Sequence, residues 1–347
     1  MKVLVTGATG FTGSHAVAAL TRQGFEVRAL VRNRRKLARV MAAHRCAPPE
    51  CFEGDIADPE IVRQALSGCD ALIHTAAFVS TSDKDREQVF RTNVEGSKRV
   101  IGTAAAQGLK RIIHVSSTAA IYQAGASSLT GQEEPARPKT SYGQSKAEAE
   151  REVRVLQAEL AKNRRRDSDP VISIVYPASI VGPLDPGLSE PHEGIRIFLQ
   201  RTGVLTSSGL QMVDVRDIAA AMILLLQASP CPERVTLGGI FVPWAELIKQ
   251  LEQLTGRRLR KLPVPGPMLR AVGRLGDMYS NITGRATPIN TEGMLYATRW
   301  IPTDDSVARS LGLEFRPSET TLADALISLA ASGALSAKDI GQLATQA

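Results

Sequence analysis

Short segments rich in β-branched residues alternate with longer amphipathic segments over the first half of this 347-residue chain. The predicted strands are residues 2–6, 26–31, 51–55, 71–76, 111–117 and 171–177. Helical patterns lie between them, such as 12–24 and 58–68, the second of which opens with Asp58 and a proline. Strands separated by amphipathic helices form βαβ units, whose parallel sheet is covered on both faces. The order therefore predicts a doubly wound α/β domain.

The first predicted strand runs directly into a glycine-rich turn, TGATGFTG, at residues 6–13. Gly7 allows a tight turn, Gly10 lets the backbone approach a pyrophosphate, and Gly13 lets the following helix pack closely on the strand. The N-terminus of that helix offers free N–H groups to phosphates. Because the motif follows a strand and opens a helix, it predicts dinucleotide binding rather than an inert turn.

A second motif, SYGQSK at residues 141–146, places Tyr142 and Lys146 four positions apart on a predicted helix. This spacing puts both side chains on one helix face. An ammonium beside a phenol favours the phenolate, so we expect Lys146 to lower the pKa of Tyr142 and prepare it for proton exchange. A tyrosine and a lysine on an ordinary protein surface would give the same pattern. The spacing therefore indicates proton exchange only together with a third motif.

That third element is VSSTAAIY at residues 115–122, at the end of the fifth predicted strand. Ligands bind at the carboxyl ends of strands in such sheets, so a hydroxyl there can hydrogen-bond a substrate oxygen. Ser116, Ser117 and Thr118 are the candidates, and we expect at least one of them only to cap the following loop.

Together these three stretches resemble the extended branch of the short-chain dehydrogenase/reductase superfamily, which carries T-G-x-x-G-x-x-G, and the resemblance covers most of the chain. The sequence is similar to the NAD-dependent epimerase/dehydratase family, in its dihydroflavonol-reductase and 3β-hydroxysteroid-dehydrogenase-like group. Further similar stretches are EGDIAD (53–58), HTAA (74–77), TNVEGSKRV (92–100), YPASIVGP (176–183) and VDVRDIA (213–219). The resemblance implies a Rossmann-type doubly wound parallel sheet with a smaller C-terminal substrate lobe.

The resemblance also implies roles for individual residues. Tyr142 would exchange a proton with the substrate, Lys146 would bind the nicotinamide ribose, and Thr118 would orient the substrate oxygen. Asn93 would position a water for proton relay.

The same resemblance implies a set of residues that contact the dinucleotide. They are Gly7, Thr9, Gly10, Phe11, Thr12, Gly13, Asp55, Ile56, Thr75, Ala76, Ala77, Tyr142, Lys146 and Pro177. Tyr176 and Gln123 stand where the family usually has an arginine and a glycine, so we expect the pocket near the nicotinamide to differ in shape.

The segment after the second predicted strand, residues 32–39, carries four arginines and one lysine. An acidic residue is expected near this point when a ribose hydroxyl is bound, but positions 31–33 contain none. A guanidinium instead pairs with a 2′-phosphate in bidentate fashion. Arg32 therefore predicts NADP as the cofactor, with NAD possible, and Arg35 or Lys36 as a second contact. The alternative is that the run is only a solvated helix face.

The net charge of +7 raises the question of a nucleic-acid partner. The positive charge is concentrated in two short runs, 32–39 and 162–166, without interleaved aromatic residues, which make up 4% of the chain. Because stacking on bases needs aromatic side chains, no nucleic-acid partner is expected. No metal site is predicted either, because the histidines and cysteines show no ligand spacing.

Two features bear on location. The best apolar segment, residues 218–228, is about half as long as the roughly 20 residues that cross a bilayer, so no membrane partner is expected. The chain starts directly with a predicted strand, which leaves no room for a signal peptide and favours a cytoplasmic location.

Proline and glycine become frequent from residue 178, where we expect the chain to leave the sheet. Residues 1–177 and 210–240 are predicted to form the dinucleotide-binding domain. Residues 178–209 and 241–347 are predicted to form the substrate lobe, with helices at 241–258 and 320–332. The resemblance also makes a homodimer a reasonable expectation.

Three functions remain open at this point. The leading hypothesis is an oxidoreductase that transfers hydride between NADP and a carbonyl or secondary alcohol of a small organic substrate. The second is a nucleotide-sugar epimerase or dehydratase that retains NAD, although the connection at 178–210 holds only Arg196 and Arg201 to grip a diphosphate. The third is a cofactor-sensing regulator, which would have no need of the proton donor Tyr142.

Overall fold

The structure, a computed structural model, describes residues 1–80, 83–163, 171–283 and 290–345. Most of the basic run at 162–166 lies outside the described residues. In the first half of the chain the elements are β1 (Lys2–Thr6), α1 (Phe11–Arg22), β2 (Glu26–Val31), α2 (Arg34–Ala43), β3 (Glu50–Glu53), α3 (Pro59–Leu66), β4 (Ala71–His74), α4 (Arg86–Phe90), α5 (Ser97–Ala106), β5 (Arg111–Val115), α6 (Ser141–Asn163) and β6 (Val171–Pro177). In the second half they are β7 (Ser179–Val181), α7 (Glu190–Gln200), β8 (Thr202–Leu205), β9 (Gly209–Asp214), α8 (Val215–Gln227), β10 (Arg234–Leu237), β11 (Ile240–Pro243), α9 (Trp244–Thr255), β12 (Arg260–Pro263), α10 (Gly266–Thr283), α11 (Thr291–Thr298), α12 (Ser306–Ser310), α13 (Ser318–Ala331) and α14 (Ala337–Ile340).

Seven strands form one parallel sheet in the order β10-β6-β5-β4-β1-β2-β3. Helices α1, α2 and α8 cover one face of the sheet, and α3, α5 and α6 cover the other. Consecutive residues of the central strand, such as Val3, Leu4 and Val5, are therefore all fully buried, as expected for a parallel sheet between two helical layers. The predicted doubly wound α/β fold is confirmed.

All six strands predicted from the sequence are present in this sheet. The strands β3, β4 and β5 each end two residues earlier than predicted, because residues 54–55, 75–76 and 116–117 belong to the loops at the carboxyl edge. Helix α3 begins as predicted: the Asp58 carboxylate accepts the N–H groups of Glu60 and Ile61, and Pro59 occupies the first turn. This arrangement satisfies two of the N–H groups that a helix start leaves free.

The remaining elements form a smaller lobe with its own apolar core. Strands β11, β9 and β7 form a three-stranded sheet, and β12 pairs with β8. Helices α9 and α13, predicted at 241–258 and 320–332, pack in this core. Within residues 210–240 the chain contributes β9 to the lobe's sheet, packs α8 on α1, and places β10 at the edge of the main sheet. None of the described helices has the length and apolar character to span a bilayer.

Candidate active site

The turn between β1 and α1 forms a narrow cradle made of backbone. Gly7 has a φ of +73°, and a Cβ there would lie 2.6 Å from Oγ1 of Thr75. A Cβ at Gly13 would lie 2.3 Å from the Gly7 carbonyl oxygen. Gly10 caps α1. A Cβ at Gly10 would have one near neighbour among the described residues, the Gly7 carbonyl oxygen at 3.2 Å. The turn is therefore closed on its protein side at Gly7 and Gly13, and open above Gly10, where backbone N–H groups of α1 begin.

The end of β4 lies directly beside this turn. The Thr75 hydroxyl donates to the Thr6 carbonyl oxygen at 2.7 Å, and the Ala76 N–H donates to the Thr6 hydroxyl at 3.4 Å. These contacts place the 74–77 stretch, with the exposed Ala77 at its end, against the glycine turn. A cradle with these contacts fits a dinucleotide, because its open side offers helix N–H groups to phosphates.

At the far edge of the cradle, Arg32 follows β2 and Asp55 follows β3. The Arg32 side chain is 70% exposed, and its guanidinium lies 4.0 Å from the Asp55 carboxylate. Asn33 caps α2 by accepting the N–H of Lys36 at 2.8 Å, and the Lys36 side chain is exposed. Ile56, next to Asp55, is buried. The basic side chains of Arg32 and Lys36 thus stand in solvent at the edge where the second ribose of a dinucleotide would lie.

Tyr142 and Lys146 both lie in the first two turns of α6. The Lys146 side chain is buried, and its Nζ donates to the Val115 carbonyl oxygen at 3.2 Å, at the end of β5. Burial lowers the pKa of Lys146 to about 8, although the negative charge of Glu150 acts in the opposite direction. Lys146 therefore connects the start of α6 to the carboxyl end of the central sheet.

The pKa of Tyr142 is raised above its ordinary value, mainly by burial and further by the negative charge of Glu190. A hydrogen bond with the Ser117 hydroxyl acts in the opposite direction and only partly offsets these effects. The expected lowering of this pKa by Lys146 is therefore wrong for this structure. Loss of hydration disfavours the phenolate, and the Lys146 ammonium donates to Val115 instead.

The three hydroxyls after β5 are in different environments. Ser116 is buried, and its hydroxyl has no hydrogen-bond partner among the described residues. Thr118 is also buried and begins a single 3₁₀ turn, Thr118–Ala120. Ser117 is partly exposed, accepts the Ala119 N–H at 3.1 Å, and its hydroxyl lowers the pKa of Tyr142. Thr118, the residue that the resemblance indicated, lies next to it at the start of the same turn.

Asn93 lies in a π-helical turn, Arg91–Gly96, and is buried. Its Oδ1 accepts the Phe78 N–H at 2.7 Å, and its Nδ2 donates to the Phe78 carbonyl oxygen at 3.0 Å. The same Nδ2 donates to the Ser145 hydroxyl at 2.9 Å, next to Lys146. Asn93 therefore fixes the loop after β4 to the start of α6.

The end of β6 completes the carboxyl edge. Pro177 is buried there, one strand away from β5. Tyr176 is fully buried, its hydroxyl donates to Glu150, and it accepts a hydrogen bond from Arg154 at 3.2 Å. Tyr176 thus forms part of a polar cluster with α6.

Helix α11 forms a wall over the start of α6, which the sequence did not predict. The Glu292 carboxylate accepts the N–H groups of Lys139 at 3.1 Å and Thr140 at 2.9 Å, just before α6. The Tyr296 hydroxyl donates to Glu292 at 3.0 Å, and its ring packs edge-on against Tyr122, with centroids 4.8 Å apart. No local signal could reveal this contact, because Glu292 and Thr140 are 152 positions apart in the chain.

Comparisons with known proteins agree with this geometry. The model of the NAD dependent epimerase/dehydratase family matches residues 3–238. Sterol demethylase protein B of Methylococcus capsulatus is 34% identical over 280 residues, which cover 80% of this chain and 81% of that protein. The ceramide reductase of Caulobacter vibrioides is 27% identical over 322 residues, covering 90% of each protein.

A solved UDP-glucose-4-epimerase from Stenotrophomonas maltophila, with bound NAD and formylated UDP-arabinopyranose, has the same fold, with a TM-score of 0.74. It is 22% identical, and the match covers 96% of this chain and 100% of that chain. The family match, the sheet topology and the glycine cradle agree with one another. The chain therefore belongs to the NAD-dependent epimerase/dehydratase family and is an oxidoreductase of the extended short-chain dehydrogenase/reductase group.

Proposed function

We propose that this enzyme transfers hydride between NADP and a carbonyl or secondary alcohol carbon of a small lipophilic substrate. The observation that carries the proposal is the placement of Tyr142 and Lys146 at the start of α6, where Lys146 Nζ donates to the Val115 carbonyl oxygen at the carboxyl end of β5, next to the three hydroxyls. A lipophilic substrate is supported by two relatives named for a sterol and a ceramide. The aromatic rings of Tyr122 and Tyr296 beside the start of α6 also favour it.

In the reducing direction, Tyr142 would donate its hydroxyl proton to the substrate oxygen. The raised pKa keeps that proton in place at neutral pH until charge develops on the oxygen. Ser117 would hydrogen-bond the same oxygen and hold it within reach of the tyrosine. Lys146, whose pKa is about 8, carries its positive charge at neutral pH and would bind the nicotinamide ribose. Bound nicotinamide would supply the hydride, or accept it in the reverse direction.

The cofactor would lie along the cradle, from Lys146 at the nicotinamide ribose to Arg32 at the 2′-phosphate. The proposed contacts are Gly7, Thr9, Gly10, Phe11, Thr12, Gly13, Arg32, Lys36, Asp55, Ile56, Thr75, Ala76, Ala77, Tyr142, Lys146 and Pro177. The exposed guanidinium of Arg32 supports NADP over NAD, because its one ion pair within the described part of the chain is with Asp55 at 4.0 Å.

Native mass spectrometry and a turnover assay together test the proposal. The purified protein should exchange NADPH and NADP⁺ freely, and should oxidise NADPH in proportion to carbonyl reduced when offered a panel of lipophilic ketones and aldehydes. One NAD retained per chain, with interconversion of nucleotide sugars and no net change in NADPH, would instead establish the epimerase alternative. The same spectra report whether the chain assembles as a dimer.

Alanine substitution separates the three hydroxyls after β5. Ser117→Ala is expected to lower kcat/KM by roughly 10–100-fold, the range for a hydrogen bond to a group that develops charge. Ser116→Ala and Thr118→Ala should have smaller effects, because both side chains are buried, whereas the Ser117 side chain is partly exposed. Cofactor affinity, measured by fluorescence titration, should be unchanged in all three. The largest loss at Thr118 would restore the assignment made from sequence.

A further inference from the structure

Large apolar side chains line one face of α10 and project into solvent. We define the α10 stripe as Met268, Val272, Leu275, Met278, Tyr279 and Ile282, which recur every three or four positions and so share one helix face. Leu275 is 60% exposed and Ile282 is 76% exposed. Among the described residues, the stripe contains six of the eleven exposed large hydrophobic side chains.

The opposite face of α10 packs against α11 and so fixes the direction of the stripe. A Cβ at Gly273 would lie 2.8 Å from the Asn290 carbonyl oxygen. The Arg270 guanidinium donates to the Thr298 hydroxyl at 3.1 Å, and the Asp277 carboxylate accepts the Thr291 N–H at 3.3 Å. The stripe is thus the outward face of a packed helix, and its apolar surface is unused by the fold of the described chain.

The segment around the stripe is strongly basic. Residues 257–283 include six arginines and lysines but one acidic residue, Asp277, which is turned toward α11. Arg274 is exposed on α10 itself, and Arg258 and Arg260 are exposed just before it. Leu262, 53% exposed on β12, adds a further apolar side chain between these arginines and the helix.

We propose that α10 docks the enzyme on the surface of an anionic lipid bilayer. An amphipathic helix with an apolar face and flanking arginines binds the interface through buried apolar area and attraction to anionic headgroups. A second copy of the chain is a poorer occupant, because a two-fold interface would place the same basic patch against itself. The helix would lie on the bilayer, so the docking is compatible with a chain whose described helices cannot span one.

The docked orientation also restricts the class of substrate. This step rests on the function proposed above. Helix α10 packs on α11, and α11 carries Glu292 and Tyr296, which close over the start of α6 next to Tyr142. A bilayer bound at the stripe would therefore lie on the outer side of this wall. The substrate class that fits is a membrane-partitioned lipid carbonyl or alcohol, taken from the bilayer rather than from water.

Vesicle flotation of the full-length protein tests the docking without any turnover. Wild type should bind vesicles of phosphatidylcholine with phosphatidylglycerol, and should bind vesicles of phosphatidylcholine alone more weakly. Leu275→Asp should weaken binding at least about tenfold, since one leucine-sized side chain no longer enters the apolar phase. Arg274→Glu should weaken binding to the anionic vesicles only. Val155→Asp is the matched control, because Val155 is an apolar residue 57% exposed on α6, and it should bind as wild type does.

Three results would overturn the docking proposal. Wild type that floats with neither vesicle excludes it, and so does binding that Leu275→Asp leaves intact. A dimer that sedimentation detects in wild type but not in Leu275→Asp would make the stripe a contact between copies. Circular dichroism of the variants checks that each is folded. Vesicle binding without any NADPH-dependent reduction would refute only the proposed function, whereas reduction of soluble ketones without vesicle binding would refute only the docking.

Discussion

Replacing Tyr142 by phenylalanine is expected to reduce kcat by about a thousandfold, within the range of general acid–base catalysis. The substitution removes only the hydroxyl, whose raised pKa would hold the transferred proton until it is needed. The ring remains, so the packing at the start of α6 should be kept. Cofactor affinity should be nearly unchanged, because the hydroxyl acts on the substrate oxygen.

Steady-state rates at saturating NADPH and a fluorescence titration of cofactor binding check this expectation together. Lys146→Ala provides the contrast: it should lose both turnover and cofactor affinity, since its ammonium would also bind the nicotinamide ribose. A Tyr142→Phe enzyme that kept more than about a tenth of the wild-type kcat would show that another group supplies the proton.

Cofactor choice gives the second large effect. Wild type should bind NADPH more tightly than NADH by about 2 kcal/mol, or roughly 30-fold, the order expected for a hydrogen bond between charged groups. Arg32→Asp should reverse this preference, because a carboxylate repels the 2′-phosphate and accepts a ribose hydroxyl. The fold should tolerate the change, since the Arg32 side chain is 70% exposed and its only ion pair among the described residues is at 4.0 Å.

Calorimetric titration of both cofactors into wild type and variant measures the reversal. Arg39→Asp is the matched control: Arg39 lies exposed on the same basic run, in α2, and the substitution should leave the preference unchanged. Equal affinity of the wild type for NADH and NADPH would show that the basic run is only a solvated helix face. It would also favour the epimerase alternative, in which NAD is retained.

Local sequence was sufficient for six of the seven strands of the main sheet and for the cradle. Strand and helix periods are set by backbone geometry within a few residues, so six strands could be predicted. Gly7 and Gly13 could be identified for a similar reason, because a glycine turn between a strand and a helix has few possible geometries. The spacing of Tyr142 and Lys146 likewise places both on α6 without knowledge of the rest of the chain.

The partners of those residues were decided by tertiary structure alone. Ser116, Ser117 and Thr118 are adjacent in sequence, and only the folded turn after β5 leaves Ser117 partly exposed while it buries Ser116 and Thr118. The pKa of Tyr142 is raised rather than lowered, because the burial of its ring and the charge of Glu190, a residue 48 positions further along the chain, both depend on the tertiary structure.

The same distinction between local signals and long-range packing applies to the smaller lobe. The sequence determined that helices follow residue 240, since their apolar periodicity is local. It did not determine that α11 would cover the start of α6, nor that the apolar face of α10 would point outward. An amphipathic pattern states that one face is apolar, but not what that face contacts. What the apolar face contacts depends on which segments, far apart in the chain, can bury it. Only the folded structure shows which of them does so.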